Sequence, residues 1–157
     1  MTIRPYRETD FADVVSIYAA SKLDELVYED RSFQLLPLDQ DPKRLEGFLA
    51  SQVFVYEQDG VKAYGARNHS EITALFVHPQ GRGTGLGKRL LQFLLDGIEG
   101  EAVLYVAKTN HPAKQLYERH GFSVTSEFLT EYNGTPVLAN KMVRKAQGVS
   151  HSPTYWQ

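Results

Sequence analysis

The chain has 157 residues, 42% of them hydrophobic and 23% charged, with a formal net charge of −2. That length supports one domain whose core needs no staples, and the composition is that of an ordinary globular protein. The absence of cysteine excludes disulfides, thiolate metal sites and a cysteine acyl-enzyme, and no dense basic cluster marks a nucleic-acid surface.

At the N-terminus, MTIRPYRETD has no apolar run, and no later segment is long enough to span a bilayer, so a cytoplasmic protein without membrane contact is expected. Ile3-Arg4-Pro5 reads as an edge strand. Thr9 or Asp10 is expected to cap a helix carrying Val14, Val15, Ile17 and Tyr18. Residues 21–41 are polar, acidic and irregular. A short helix starts at Asp41-Pro42 and carries Leu45, Phe48 and Leu49. Val53 to Glu57 and Val61 to Arg67 flank Asp59-Gly60, a hairpin signal. Glu71 to Val77 is the next strand, stopped by Pro79. Leu86, Leu90, Leu91, Leu94, Leu95 and Ile98 then recur at helical spacing. Ala102 to Val106 forms another strand, and a further helix begins near His111 and stops at Gly121. Ser123 to Tyr132 and Pro136 to Val143 make a hairpin around Asn133-Gly134. The expected domain ends near residue 145, and residues 146–157, with the lone Trp156, form a loosely held tail.

Charge is divided along the chain. Residues 1–60 carry 12 acidic and 6 basic side chains, whereas residues 61–157 carry 7 and 11. A polyanionic ligand in the second half and a different partner in the first would account for this split.

Between the strand ending at Val77 and the helix opening at Leu86 lie Gly81, Gly83, Gly85 and Gly87. Glycines free successive N–H groups to point into one concavity at the positive end of a helix, which suits phosphate. Two familiar phosphate loops fail on spacing. Around Gly87-Lys88 a Walker loop would need glycine where Arg82 stands and Ser or Thr where Arg89 stands, and no G-x-G-x-x-G is present. Gln80-x-x-Gly83-x-Gly85 does occur, directly after a strand. Downstream comes Asn110-His-Pro-Ala113-Lys-Gln-Leu116-Tyr117-Glu-Arg-His-Gly121-Phe122, with one helix and one strand between the two motifs.

Together these motifs resemble the Gcn5-related N-acetyltransferase (GNAT) superfamily over roughly residues 2 to 145. The resemblance implies an α+β (α/β) fold: a mixed, mostly antiparallel sheet of six or seven strands, helices on both faces, and two splayed central strands. It implies that the turn holds the pyrophosphate of acetyl-CoA through Gln80, Gly81, Arg82, Gly83, Thr84, Gly85, Leu86, Gly87 and Lys88. It further implies main-chain contacts from Phe76 and Val77 to the pantetheine arm, with the Val77 N–H polarising the thioester carbonyl. Asn110 and Ala113 would close the site, Asn110 orienting the cofactor, capping its helix, or both.

Transfer of an acyl group to an amine needs a neutral amine and a proton for the departing thiolate. Tyr117 is the expected acid, its other reading being a core aromatic in the Ala113-Leu116-Tyr117 stripe. Glu71 matches the position of the glutamate base in several superfamily members; its other reading is a strand-end carboxylate facing solvent or pairing with Arg67. His69, His78, His111, His120 and His151 lack metal-ligand spacing, so no metal is expected. With no cysteine and no serine elbow, direct transfer in a ternary complex is the economical route.

The acceptor is expected to be a small-molecule or peptide amine, handled by a monomer or homodimer. Asp24, Glu25, Glu29, Asp30, Asp39 and Asp41 in the segment expected to line the acceptor side would favour a cationic small molecule or a lysine-bearing peptide. Two other classes fit the same motifs: a non-catalytic acetyl-CoA-binding module, and an acyltransferase using a longer acyl donor or a carrier protein.

Overall fold

The computed structural model of the chain describes residues 2–146; the anticipated tail and Trp156 lie outside the described residues. Seven strands, β1 (Thr2–Pro5), β2 (Gln52–Glu57), β3 (Val61–Asn68), β4 (Glu71–Val77), β5 (Ala102–Ala107), β6 (Phe122–Tyr132) and β7 (Thr135–Arg144), form one sheet in the order β1-β2-β3-β4-β5-β7-β6. Every neighbouring pair is antiparallel except β4–β5. The helices are α1 (Phe11–Ser21), α2 (Pro42–Ala50), α3 (Leu86–Asp96) and α4 (His111–Arg119).

Strand alternation divides the core into two layers. Val53 and Val55 of β2 pack with Val14, Ile17, Tyr18 and Phe48 from α1 and α2. Their neighbours Phe54 and Tyr56 face the other side, into clusters that contain the leucines of α3. Five leucines of the expected α3 stripe are buried, Leu86, Leu90, Leu91, Leu94 and Leu95 all being 5% exposed or less, while Ile98 lies past the helix end at Asp96 and is half-buried. Both hairpin turns have positive φ at both central residues, Asp59-Gly60 and Asn133-Gly134, the twist that two-residue hairpins require.

Three local expectations change. Asp10 does not cap α1. Glu8–Asp10 is a separate 3-10 turn, and the Asp10 carboxylate points back to accept the Arg7 N–H (2.8 Å) and two hydrogen bonds from the Arg4 guanidinium (2.8 and 2.9 Å). That guanidinium holds the Asp10 carboxyl below the usual carboxylate range. Leu49 is 69% exposed, because α2 is short and buries only the face carrying Phe48. Thr135, left outside the expected hairpin strands, belongs to β7.

The sheet is interrupted where function is expected. β4 and β5 pair only at Glu71 and Val103, with the Val103 N–H donating to Ser70 O at 2.9 Å, and then diverge. Within β4 a bulge leaves Thr73 without a partner, since Ala66 pairs with Ala74 and Arg67 with Ile72. On one flank of the gap, α3 sits directly on the backbone of β3. A Cβ on Gly65 would come within 2.8 Å of Leu94 Cδ1 and 3.1 Å of Leu90 Cγ. Gly65→Val should therefore overpack this seat and lower unfolding stability by about 1–3 kcal/mol, read by urea denaturation. An unchanged midpoint would show that α3 can lift from β3 without loss.

Candidate active site

The glycine turn starts with a one-turn 3-10 helix, Pro79–Gly81, capped by His78, whose Nδ1 accepts the Gln80 N–H at 3.1 Å. Thr84 Oγ1 donates to Gly81 O at 2.7 Å and ties the turn to itself. Gly83 and Gly85 have φ of +82° and +81°, a region side chains rarely adopt, and a Cβ on either would meet no atom within 4 Å. The concavity is open and backbone-lined. Its floor is the start of α3, where Arg89 N–H makes a bond to Gly85 O and the N–H groups of Leu86, Gly87 and Lys88 precede the helical ladder. Leu86 contributes backbone only, because its side chain is buried beneath Gly81. Lys88 and Gln80 are exposed.

The backbone of β4 divides its groups between two sides. The His78 N–H donates to Lys62 O at 2.9 Å, so by antiparallel alternation Phe76, paired with Tyr64, bonds to β3, while Leu75 and Val77 direct their N–H and C=O groups into the gap. Leu75 and Val77 thus have main-chain groups that β3 does not use, whereas the amide of Phe76 is taken up by the sheet. Phe76 acts through its ring instead, packed 5.3 Å from Tyr18 and 5.4 Å from Tyr64.

Two cavities open along the gap, each about 600 Å³. One is bounded by the glycine turn and α4; the other runs along β4 between β5, β6 and α2. They meet at Glu25, Leu75, Phe76, Asn110, Ala113 and Tyr117, which line both. Asn110 caps α4, its Oδ1 accepting the Ala113 N–H at 3.4 Å. Tyr117 is therefore both a packed aromatic, 6.0 Å from Phe122, and a cavity wall. Burial, with the charge of Glu25, lifts its phenol above the usual range, so it stays protonated at neutral pH.

Glu71 lines only the β4-side cavity. Burial raises its carboxyl above the ordinary value. It does not pair with Arg67, which donates to Gln52 Oε1 (3.3 Å) and Leu94 O (3.0 Å) and stacks on Phe54. A strand rises about 3.3 Å per residue, which places Glu71 roughly 20 Å along β4 from Val77.

Glu25 was legible only as one of six carboxylates in an acidic segment, and the structure separates those six. Asp24 pairs with Arg82 at 2.7 Å, Glu25 with Lys22 at 3.1 Å, and Glu29 accepts from Thr109. Asp41 caps α2. Arg82 and Lys88 are the cations of the turn and the start of α3, Arg82 already paired with Asp24; farther along, Lys108 pairs with Glu127 and Lys114 donates to Asn140 Oδ1. Arg44 and Tyr132, wall residues of the β4-side cavity, carried no signal in the sequence. His120 is the helix-end histidine anticipated, its Nδ1 lying 2.9 Å from Leu116 O.

Residues 50–124 match the acetyltransferase (GNAT) domain family. A mycothiol acetyltransferase of Kocuria rhizophila is 35% identical over 99 residues, 60% of this chain and 31% of that protein. The L-amino acid N-acyltransferase MnaT of Escherichia coli is 27% identical over 148 residues, 81% of this chain and 82% of that one. Among solved structures, yncA of Salmonella typhimurium, a putative acetyltransferase with its cofactor acetyl-CoA, superposes with a TM-score of 0.63 at 24% identity, covering 92% of this chain and 93% of that one. The family match takes in residues 50–124, just under half of the chain, and includes the glycine turn and the helix carrying Tyr117. The chain spans about a third of the length of the mycothiol acetyltransferases it matches.

Proposed function

We propose that the protein is an acyl-CoA-dependent N-acetyltransferase that moves an acetyl group directly from acetyl-CoA to a primary amine. The observation carrying this reading is the junction: a phosphate-fitting glycine turn and a separate cavity converge on one protonated phenol, Tyr117. The fit to the donor rests on the open space over Gly83 and Gly85 and on the unpaired β4 backbone groups at Leu75 and Val77, which suit a pyrophosphate and an amide-bearing arm. When bound, acetyl-CoA supplies the thioester.

The residues divide the remaining work. The Val77 N–H, aimed into the gap, donates to the carbonyl oxygen on which charge develops. The amine nitrogen attacks the carbonyl carbon, the carbon–sulfur bond breaks, and Tyr117 gives its proton to the sulfur. The amine's surplus proton leaves along the β4-side cavity to Glu71. The strand length between Glu71 and Val77 makes that transfer water-mediated.

The acceptor's charge cannot be read from the net charge of segment 21–41. Among its carboxylates only Glu25 lines the β4-side cavity, and it is already paired. The case for a cationic acceptor weakens accordingly, and the primary amine stands.

Gly83→Val should weaken acetyl-CoA binding more than tenfold, or about 1.4 kcal/mol, by calorimetry. Its unfolding midpoint should fall only modestly, since the added side chain meets no neighbour and the penalty is the local positive φ. Unaltered affinity would remove the turn from the site. Tyr117→Phe keeps the packing and deletes the proton, so kcat should drop on the order of 10²-fold while acetyl-CoA affinity holds; an untouched kcat would make Tyr117 purely a core residue. For Glu71 the sign follows from its raised pKa. The base works only when ionised, so activity falls as pH drops through a value above that of an ordinary glutamate. Glu71→Gln should abolish this limb and show a rate defect that shrinks as pH rises, because more amine is then already neutral. A defect constant across the pH range would exclude the base role.

A further inference from the structure

The β4-side cavity is balanced in charge: Glu25, Glu71 and Glu131 face it, and so do Lys22, Lys43 and Arg44. The cations are not scattered. Lys22 Nζ and the Arg44 guanidinium both lie over the Tyr132 ring, 5.3 and 5.0 Å from its centroid. Tyr132 is itself fixed, its hydroxyl accepting the Leu36 N–H at 2.8 Å and donating to Leu36 O at 3.2 Å. Lys22 also contacts both oxygens of Glu25, at 3.1 and 3.2 Å, with the Lys22 side chain largely buried and that of Glu25 partly so. Arg44 has only a loose tie to Asp41 at 3.8 Å, and Lys43 makes no ion pair among the described residues.

Resting on the acetyl-transfer reading above, we propose that the acceptor is a zwitterionic amino acid, a primary amine carrying its own carboxylate. In an α-amino acid the ammonium and carboxylate are about 3 Å apart, fixed by the N–Cα–C geometry. The Lys22–Glu25 pair offers opposite charges at the same spacing, with Lys22 in the β4-side cavity and Glu25 at the junction of the two. Laid against it, the ammonium faces Glu25, beside Tyr117, and the carboxylate faces Lys22 with Arg44 as second cation. Each charge finds its opposite, whereas an amine without a carboxylate would give Lys22 and Arg44 no counter-charge. Beyond the charged corner the wall is apolar, with Leu26, Phe128 and Val137, which suits an aliphatic side chain.

The test uses the whole protein saturated with CoA and titrated calorimetrically with leucine, leucinamide and 3-methylbutylamine, then with the other amino acids and their amides. In parallel, N-acetyl product is measured from acetyl-CoA. Leucine, or another apolar amino acid, should bind at least tenfold tighter than its amide and its decarboxylated amine. Arg44→Gln, checked for folding by circular dichroism, should bring the acid-to-amide affinity ratio towards one, and Lys43→Gln should move it in the same direction. The proposal is overturned if no amino acid in the panel binds tighter than its amide, or if both substitutions leave the ratio unchanged. Preferential amino-acid binding without acetylated product would sink the transferase reading and leave only an amino-acid-binding site; rapid acetylation of amides or polyamines in preference to amino acids would keep the transferase reading and overturn the amino-acid acceptor.

Discussion

The parting of β4 from β5 is the constraint on which the site depends. A sheet normally satisfies its own backbone, and here one pair of partners, Glu71 and Val103, is followed by a gap. Leu75 and Val77 are left with main-chain groups that no strand takes up. The bulge at Thr73 bends β4 away from its neighbour, and α3, seated tightly on Gly65, holds the glycine turn at the far end of the same strand. The cleft therefore follows from missing hydrogen bonds, and a ligand rich in amides and phosphate oxygens can replace them.

Electrostatics inside the cleft is governed by pairs, while the long-range charge split of the chain has little hold on it. Glu25 raises the phenols of Tyr117, Tyr18 and Tyr64 behind the dominant effect of burial, yet its own charge is met by Lys22. Partly buried pairs of this kind interact in a medium far less polar than water, so one partner's geometry matters more than the net charge of the surrounding segment. Arg82 is similarly engaged. It bonds Asp24 at 2.7 Å and Val77 O at 3.3 Å, so the turn's cation and a carboxylate stand together at the mouth of the turn-side cavity.

Elements whose signal is local were legible in the sequence. The α3 leucines, the Asp41-Pro42 and Asn110-His-Pro helix starts, the two hairpins and the glycine turn each announce themselves within a dozen residues. What failed to show depends on partners far away in the chain. Asp10 looked like a cap, but its carboxylate is taken by Arg4 and the Arg7 N–H, and Arg4 is in turn held by Glu57 across the β1–β2 pairing. Phe76 and Val77 are consecutive apolar residues in a strand, and only the register against β3 decides whose amide is free. Arg44 and Tyr132 are 88 positions apart and meet only in the folded cavity wall. The acidic segment showed its composition but not its directions, and its directions determine the chemistry.

Those directions converge in one short piece of chain. Asp24 and Glu25 are consecutive residues in the 3-10 turn Lys22–Leu26 that follows α1. One turns to the glycine-turn cavity and pairs with Arg82; the other turns to the junction and pairs with Lys22. A 3-10 turn advances three residues per revolution, so neighbours point about 120° apart and can address two cavities from one place. Leu26, next in the chain, is buried against Tyr132 and Val137 and anchors the turn to the β6–β7 hairpin. The wall that meets the proposed donor and the wall that meets the proposed acceptor are thus carried by one short turn, so a change in the backbone of that turn reaches both ion pairs.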